Sequence, residues 1–298
     1  IYSKAGLTGA LQSTYVLEAG SHEDGGSKAS WGPTEIEITT NPSSGAVDFD
    51  GEIGTLSVGD GLSSFSVDGL RFSGIQEPTK FGFATGDIRL DLDEMTVSSN
   101  GVAAGGLKAM SFDATTDVSK GRLNAKTVIT LESKEIPQFG EVEVVADIRL
   151  DGADAQAVGA LQRAVEAAGD NPDPGRLFAA TENDLKRLLA AGLAMHVDRF
   201  DITLPSGAVA ANLDLEIGEN DAASFEWTSL LLSTEAAANV SIPESLLEMA
   251  MQMNPNAGAM LGMGFLQKNG DVYEVSAEYK KGLLTINGAP MPIPFGSL

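Results

Sequence analysis

The feature that most limits how this chain can fold is an alternation of apolar and polar residues, repeated from about residue 34 to residue 150. Ile36 and Ile38 alternate with Glu35 and Glu37, and Val47 and Phe49 with Asp48 and Asp50. Ile88, Leu90 and Leu92 take one side of a segment whose other side is Asp87, Arg89, Asp91 and Asp93. Leu70 and Phe72, Phe81 and Phe83, Met110 and Phe112, Ile129 and Leu131, then Val142, Val144, Ala146, Ile148 and Leu150 keep the same period of two. That period puts successive side chains on opposite faces of a strand. Antiparallel strands with one solvated face read this way; parallel strands, covered on both sides, do not. After Asp93 the phase slips, because Met95 and Val97 resume on odd numbers, and this predicts a bulge near Asp93 and Glu94. Asn41-Pro42, Asp50-Gly51, Asp60-Gly61, Asn100-Gly101 and Lys120-Gly121 read as turns, and isolated glycines such as Gly82 as bends.

Helical spacing enters after Asp151. Asp154 is placed to cap a helix over residues 154–168 carrying Val158, Leu161 and Val165, stopped by Gly169. Residues 170–175 read as a stiff polar loop. Thr181 with Asp184 opens a second helix over 182–195, with Leu185, Leu188, Leu189 and Leu193. Strands return through Phe200, Ile202 and Leu204, through Val209, Leu213 and Ile217, and through Phe225, Trp227 and Leu231. Ser241 and Glu244 form a capping-box pattern around Pro243 for a third helix over 243–267, interrupted at Asn254-Pro255. The expected fold is therefore α+β and β-rich: a long curled antiparallel sheet, a meander that is groove- or barrel-like, covered by a few amphipathic helices. Residues 1–153 form its β-rich region. Residues 154–298 form an α+β region ending in a hairpin, with one continuous sheet rather than two independent domains.

Composition removes most chemistry. The 298 residues include no Cys and two His, which excludes thiolate metal sites, iron–sulfur clusters and Cys nucleophiles. There is no Gly-x-Ser-x-Gly elbow for a Ser nucleophile. His22 lies in a polar segment and His196 reads as a helix-to-strand boundary residue. Gly262-Met263-Gly264 lacks the third glycine of a dinucleotide fingerprint. Forty-two acids against 19 bases give a net charge of −23, which excludes nucleic acid as a partner. Asp87, Asp91 and Asp93 flank Arg89 as a solvent-facing charge ladder, and the acidic stretches at Asp48 to Glu52 and Asp170 to Asp173 do not follow the EF-hand order. We expect no catalytic residues, no cofactor and no resident metal. One pentapeptide occurs twice, at Asp87 to Asp91 and at Asp147 to Asp151. A single repeat of this length falls short of a repeat architecture and reads as coincidence within a small strand alphabet.

Methionine is flexible and polarizable, and it serves both as core filler and as lining for surfaces that accept varied apolar ligands. The candidate ligand-binding residues are Leu246, Leu247, Met249, Met251, Met253, Met260, Met263 and Phe265, which would cover the sheet's apolar side and leave room for an acyl chain.

The C-terminal segment from Glu278 to Pro290 (EYKKGLLTINGAP) resembles the closing motif of the YdgA-like bacterial family, Tyr-Lys-x-Gly-x-Leu-x-x-Asn-Gly-x-Pro. Gly-Leu-Arg-Phe-Ser-Gly at Gly69 to Gly74 and the helix pair before the last strands are similar in order. The resemblance implies a protein of unassigned function in the periplasm, held to the inner membrane by an N-terminal segment, with no catalytic residues to carry over. The chain opens at Ile1 without an initiator Met, as a trimmed form would, and no run of about 18 apolar residues is present to span a bilayer. The functional expectation is a non-enzymatic cell-envelope protein that binds lipid or another apolar ligand in a β-groove. The alternative is a structural or interaction module of the envelope, contacting an envelope protein or a second copy of the chain, without a small-molecule ligand.

Overall fold

The structure is a computed structural model that describes residues 2–5, 9–134, 136, 139–169, 173–253, 261–262 and 264–291. It is β-rich, with every described ladder antiparallel and four α-helices among the described residues. Two compact units divide the chain. The first comprises Ile1–Lys80, Ala84–Thr116 and Thr127–Val145, and the second Phe81–Phe83, Asp117–Lys126 and Ala146–Leu298.

The first unit is built from β1 (Tyr2–Ala5), β2 (Leu11–Leu17), β3 (Gly20–Asp24), β4 (Ser27–Trp31), β5 (Thr34–Thr40), β6 (Val47–Gly59), β7 (Ser63–Pro78), β8 (Ala84–Ser99) and most of β9 (Val102–Ser119). β10 (Arg122–Ser133) and β11 (Glu143–Asp154) have residues in both units. The ladder runs β1–β2–β5–β6–β7–β8–β9, and β3 pairs with β4, which pairs with β6. β7 and β8 have 16 residues each, far beyond the common five or six. Asn100-Gly101 and Lys120-Gly121 have positive φ at both positions, which makes them the type I′ corners that suit the strands' twist. Asp50-Gly51 is not a turn. Gly51 sits inside β6, buried, where the Phe72 ring occupies the space above it: an added Cβ would lie 2.5 Å from the ring.

The phase slip after Asp93 has a different cause from the one expected. The β6–β7 ladder is continuous except at Gly54 opposite Gly69, and the β7–β8 ladder except at Gly69 opposite Asp93. The register is the same on both sides of each gap, so no strand gains a residue over its neighbour. Instead the interruptions line up across the sheet. β4 and β5 are two halves of one strand broken at Gly32-Pro33, and β2 and β3 are broken at Glu18 and Ala19 at the same level. The Gly32 N–H donates to the Thr55 carbonyl (2.6 Å) and the Gly54 N–H to the Pro33 carbonyl (3.1 Å). Gly69 adopts φ 63°, and a Cβ there would fall 2.1 Å from Asp93 Oδ2. The result is a crease, across which the apolar positions step by three residues instead of two: Ile53 to Leu56, Leu70 to Val67, Leu92 to Met95. A true register shift does occur in the β8–β9 ladder, where Val97 and Ser98 face Gly105 and Ala103 and β9 carries the extra residue, Ala104.

The second unit carries the helices. A sheet of β12 (Leu193–Leu204), β13 (Gly207–Ile217), β14 (Thr234–Pro243), β16 (Val272–Lys280), β17 (Leu283–Ile286) and β18 (Ala289–Met291) is joined in that order, with β15 (Gln267–Asn269) also on β16. α1 (Ala155–Ala168) starts where expected: the Asp154 carboxylate accepts from the Ala157 N–H (2.8 Å). α2 (Pro174–Ala190) begins eight residues before the expected start. Its cap is Asp173, accepting from Arg176 N–H, with Pro174 in the first turn. Thr181 is inside the helix, buried, its hydroxyl turned back on the Leu177 carbonyl. Proline at the first helical position, preceded by aspartate, outweighed the Thr-x-x-Asp pattern. Leu193 and His196 belong to β12, so neither a helix to residue 195 nor a boundary histidine is present.

Phe225, Trp227 and Leu231 do not form a strand; they lie in a turn and in the short helix α3 (Ser229–Ser233). Phe81 and Phe83 lie in a turn around Gly82, φ 97°. α4 (Glu244–Met253) follows β14 directly. Ser241 is a strand residue, and Glu244 donates its N–H to the Asp271 carbonyl and pairs with Lys268, so the capping box does not form. Residues 267–269 are strand, and the Asn254-Pro255 break lies outside the described residues. The closing hairpin turns at Lys281-Gly282, with positive φ at both residues.

Candidate apolar binding surface

A sheet with one apolar face buries that face against a second layer in ordinary globular domains. The first unit has no such layer of its own: every described helix belongs to the second unit. The alternation of β5 to β9 gathers its apolar residues into cross-strand rows. One row is Ile53, Leu70, Leu92 and Met110; the next is Ile36, Gly51, Phe72, Leu90 and Phe112; the third is Ile38, Phe49, Gly74, Ile88 and Ala114. Past the crease come Trp31, Leu56, Val67, Met95 and Leu107, then Ala29, Val58, Phe65, Val97 and Gly105. Among the described residues of this unit, Leu92 alone is a buried apolar side chain. Val58 is 45% exposed, and Leu56, Phe65, Ile88 and Val97 are each 38–39% exposed.

Two glycines level the floor of these rows. The Phe72 ring lies over Gly51 and the Phe49 ring over Gly74, where a Cβ would come within 2.7 Å of the ring. The two rings lie 6.3 Å apart. Aromatic side chains laid on cross-strand glycines keep the face low and continuous, where upright rings would divide it.

The opposite face of the same strands is charged. Glu37, Asp50, Ser73, Arg89 and Asp113 form one row, and Glu35, Glu52, Arg71, Asp91 and Ser111 another. Arg89 Nε donates to Asp91 (2.7 Å), and its guanidinium holds the Asp91 carboxyl below the ordinary carboxylate range. Arg71 makes a two-pronged bond to Asp93 at the crease (2.7 and 2.5 Å), which lowers Asp93 and raises the guanidinium still further above its ordinary range. In the charge ladder expected for Asp87, Asp91 and Asp93, Asp91 and Asp93 are thus tied to arginines, while Asp87 sits in register with Ile75 and Thr115. The duplicated pentapeptide repeats the arrangement, since Arg149 also bonds its neighbour two residues on, Asp151 (3.3 Å).

The candidate residues of α4 are spread over different environments in the second unit. Leu246 and Leu247 are buried, Met249 and Met251 half-buried, and Met253 61% exposed. Phe265 is half-buried, with its carbonyl accepting from Asn287. Met260 and Met263 lie outside the described residues. The helix thus places its leucines inward and does not form an open trough. The exposed rows of the first unit were missed in the sequence, although the alternation that builds them was visible. What was not visible is how much of their side-chain surface stays exposed.

His196 projects from β12 with its Nδ1 2.7 Å from Asp214 Oδ1 and its Nε2 3.8 Å from Asp151. His196 and Asp214 line a groove of about 420 Å³ with Glu216, Glu235, Glu278 and Lys280. Across the strands the row continues from Asp214 to Ala237 and Glu278. Among the described residues no cluster of three His, Asp or Glu is placed to hold a metal ion.

Against this geometry stands one comparison with known proteins. The pattern of DUF945, a bacterial protein family of unknown function, matches residues 1–294. The chain belongs to this family. No curated protein and no solved structure matches it. Membership in DUF945 assigns no reaction and no ligand, so the functional argument rests on the surface itself.

Proposed function

We propose that this protein is a non-enzymatic component of the bacterial cell envelope that seats a lipid acyl chain on the apolar face of its first unit. The observation that carries the reading is the half-exposed apolar face of the first unit, whose one buried apolar side chain among the described residues is Leu92. Exposed contiguous apolar area of this kind marks an interaction site in a soluble protein. The rows cross five strands, and at about 4.8 Å per strand they extend for roughly 19 Å. That length suits one acyl chain, since a single leaflet's hydrocarbon is about 15 Å deep. A chain of about fourteen methylenes lying with half its surface on the floor gains roughly 5–6 kcal/mol, which corresponds to a Kd on the order of 0.1 mM. The similarity of the C-terminal hairpin to YdgA-like proteins supports a periplasmic setting tethered to the inner membrane.

The test is binding of palmitate and of a fluorescent fatty acid to the purified chain, alongside native mass spectrometry for copurified lipid. Saturable binding that is lost in Val58→Asp with Val97→Asp is expected. A protein that carries no lipid and binds neither probe at millimolar concentration overturns the reading. If it also dimerises through this face, the interaction-module alternative takes its place.

A further inference from the structure

The polar face of the second unit's sheet has a depression of a different character. Asn212, Asn239 and Ser276 stand side by side on β13, β14 and β16, and the next row holds Ala210, Ser241 and Glu274. The small side chains Ala210, Ser241 and Ser276 make the floor, with Arg199 and Gln267 among the lining, and the groove holds about 540 Å³, within the range of small-molecule sites. Its ionic groups are largely spoken for. Arg199 bonds Asp201 (2.5 Å), and Asp198 bonds Arg149 (2.6 and 3.0 Å). Glu274 is left as the one lining acid without a cationic partner among the described residues; it accepts from Asn269 (3.2 Å).

The neutral groups, by contrast, have capacity to spare. Asn239 donates to Asn212 Oδ1 (3.0 Å), which leaves the Asn212 amide hydrogens as donors and the Asn239 side-chain carbonyl as an acceptor without a bonded side-chain partner among the described residues. The side chains of Ser241, Ser276 and Gln267 bond no other described residue. The amides and hydroxyls of Asn212, Asn239, Ser241, Ser276 and Gln267, each both donor and acceptor, match a ligand with the same dual groups at close spacing. Three lining acids against Arg199 disfavour an anion, and the lining holds no aromatic ring and only short aliphatic side chains for an acyl chain.

We propose that this groove is a binding site for a neutral, hydroxyl-rich ligand, a short segment of uncharged oligosaccharide. It is separate from the acyl-chain surface and does not depend on it. The experiment is titration of the purified chain with maltotetraose, chitotetraose and mannotetraose, followed by calorimetry and by side-chain amide NMR, with tetragalacturonate as the anionic control. At least one neutral sugar should bind, shift the Asn212 and Asn239 side-chain amide signals, and weaken at least tenfold in Ser276→Leu or Ser241→Leu. Both substitutions fill the groove without removing a protein hydrogen bond. Circular dichroism and fatty-acid binding of the variants should match the parent, which separates loss of the site from loss of the fold. Failure of all three neutral sugars at 10 mM overturns the proposal, as does equal binding of tetragalacturonate or binding unaffected by the leucines; here 10 mM is simply about a hundredfold above the order of affinity estimated for the acyl chain.

Discussion

Gly69 joins a backbone demand to a side-chain one. Its φ of 63° favours a residue without Cβ, and the space a Cβ would occupy is filled by the carboxylate that Arg71 grips. Gly69→Ala should therefore destabilise the chain by about 1–3 kcal/mol, read as a lower denaturation midpoint with unchanged slope. The Arg71–Asp93 bond makes a second prediction at this scale. Asp93 titrates below its ordinary 3.8 in the folded chain, so its contribution is complete above that value and fades as pH falls through the lowered one. The gap in melting temperature between the parent and Asp93→Asn should be constant from pH 7 to about pH 5 and close toward pH 2. The sequence displayed the charge ladder but not this grip, because a left-handed glycine inside a strand leaves no periodic trace.

At the scale of elements, what was legible followed from local rules. Asn-Gly and Lys-Gly corners were read correctly, since only residues tolerant of positive φ fit a two-residue hairpin. The one-sided strands were equally plain. Helix starts were less secure: Asp154 was right, whereas Thr181 was preferred to Asp173 although both patterns stood in the text. Asp173→Ala should cost about 1 kcal/mol and lower the melting temperature by about 2 °C. Thr181→Ser, which keeps the buried hydroxyl and its bond to Leu177, should preserve the helix signal in circular dichroism. Asp50-Gly51 failed for an instructive reason, because glycine under an aromatic ring looks in sequence like glycine in a turn.

At the scale of the molecule, a chain with 43% hydrophobic residues has only ten buried apolar residues among those described, half of them alanine. Periodicity tells which side of a strand is apolar; it does not tell whether anything lies on that side. The site expected from sequence therefore falls on the leucines and methionines of α4, whereas the half-exposed apolar rows lie in the first unit. If those rows are a working surface, polar substitutions there should be nearly free for folding. Val58→Asp and Val97→Asp should each change stability by less than about 0.5 kcal/mol in ligand-free protein, measured by urea denaturation. The same variants should lose the thermal stabilisation that fatty acid gives the parent.

The crease has one more consequence, for how the strands find their partners. A stack of similar two-faced strands has many near-equivalent ways to zip, and a slip of two residues would keep every oily side chain on its proper side. Slide β7 that far along β8, however, and Arg71 or Val67 would have to take the left-handed bend that Gly69 accepts, while Asp93 would lose its clasp. With Gly32, Gly54 and Gly69 at one level, a misaligned strand is rejected by the neighbours on either side of it. The glycines act as notches in a key, and they let a monotonous text close in a single way.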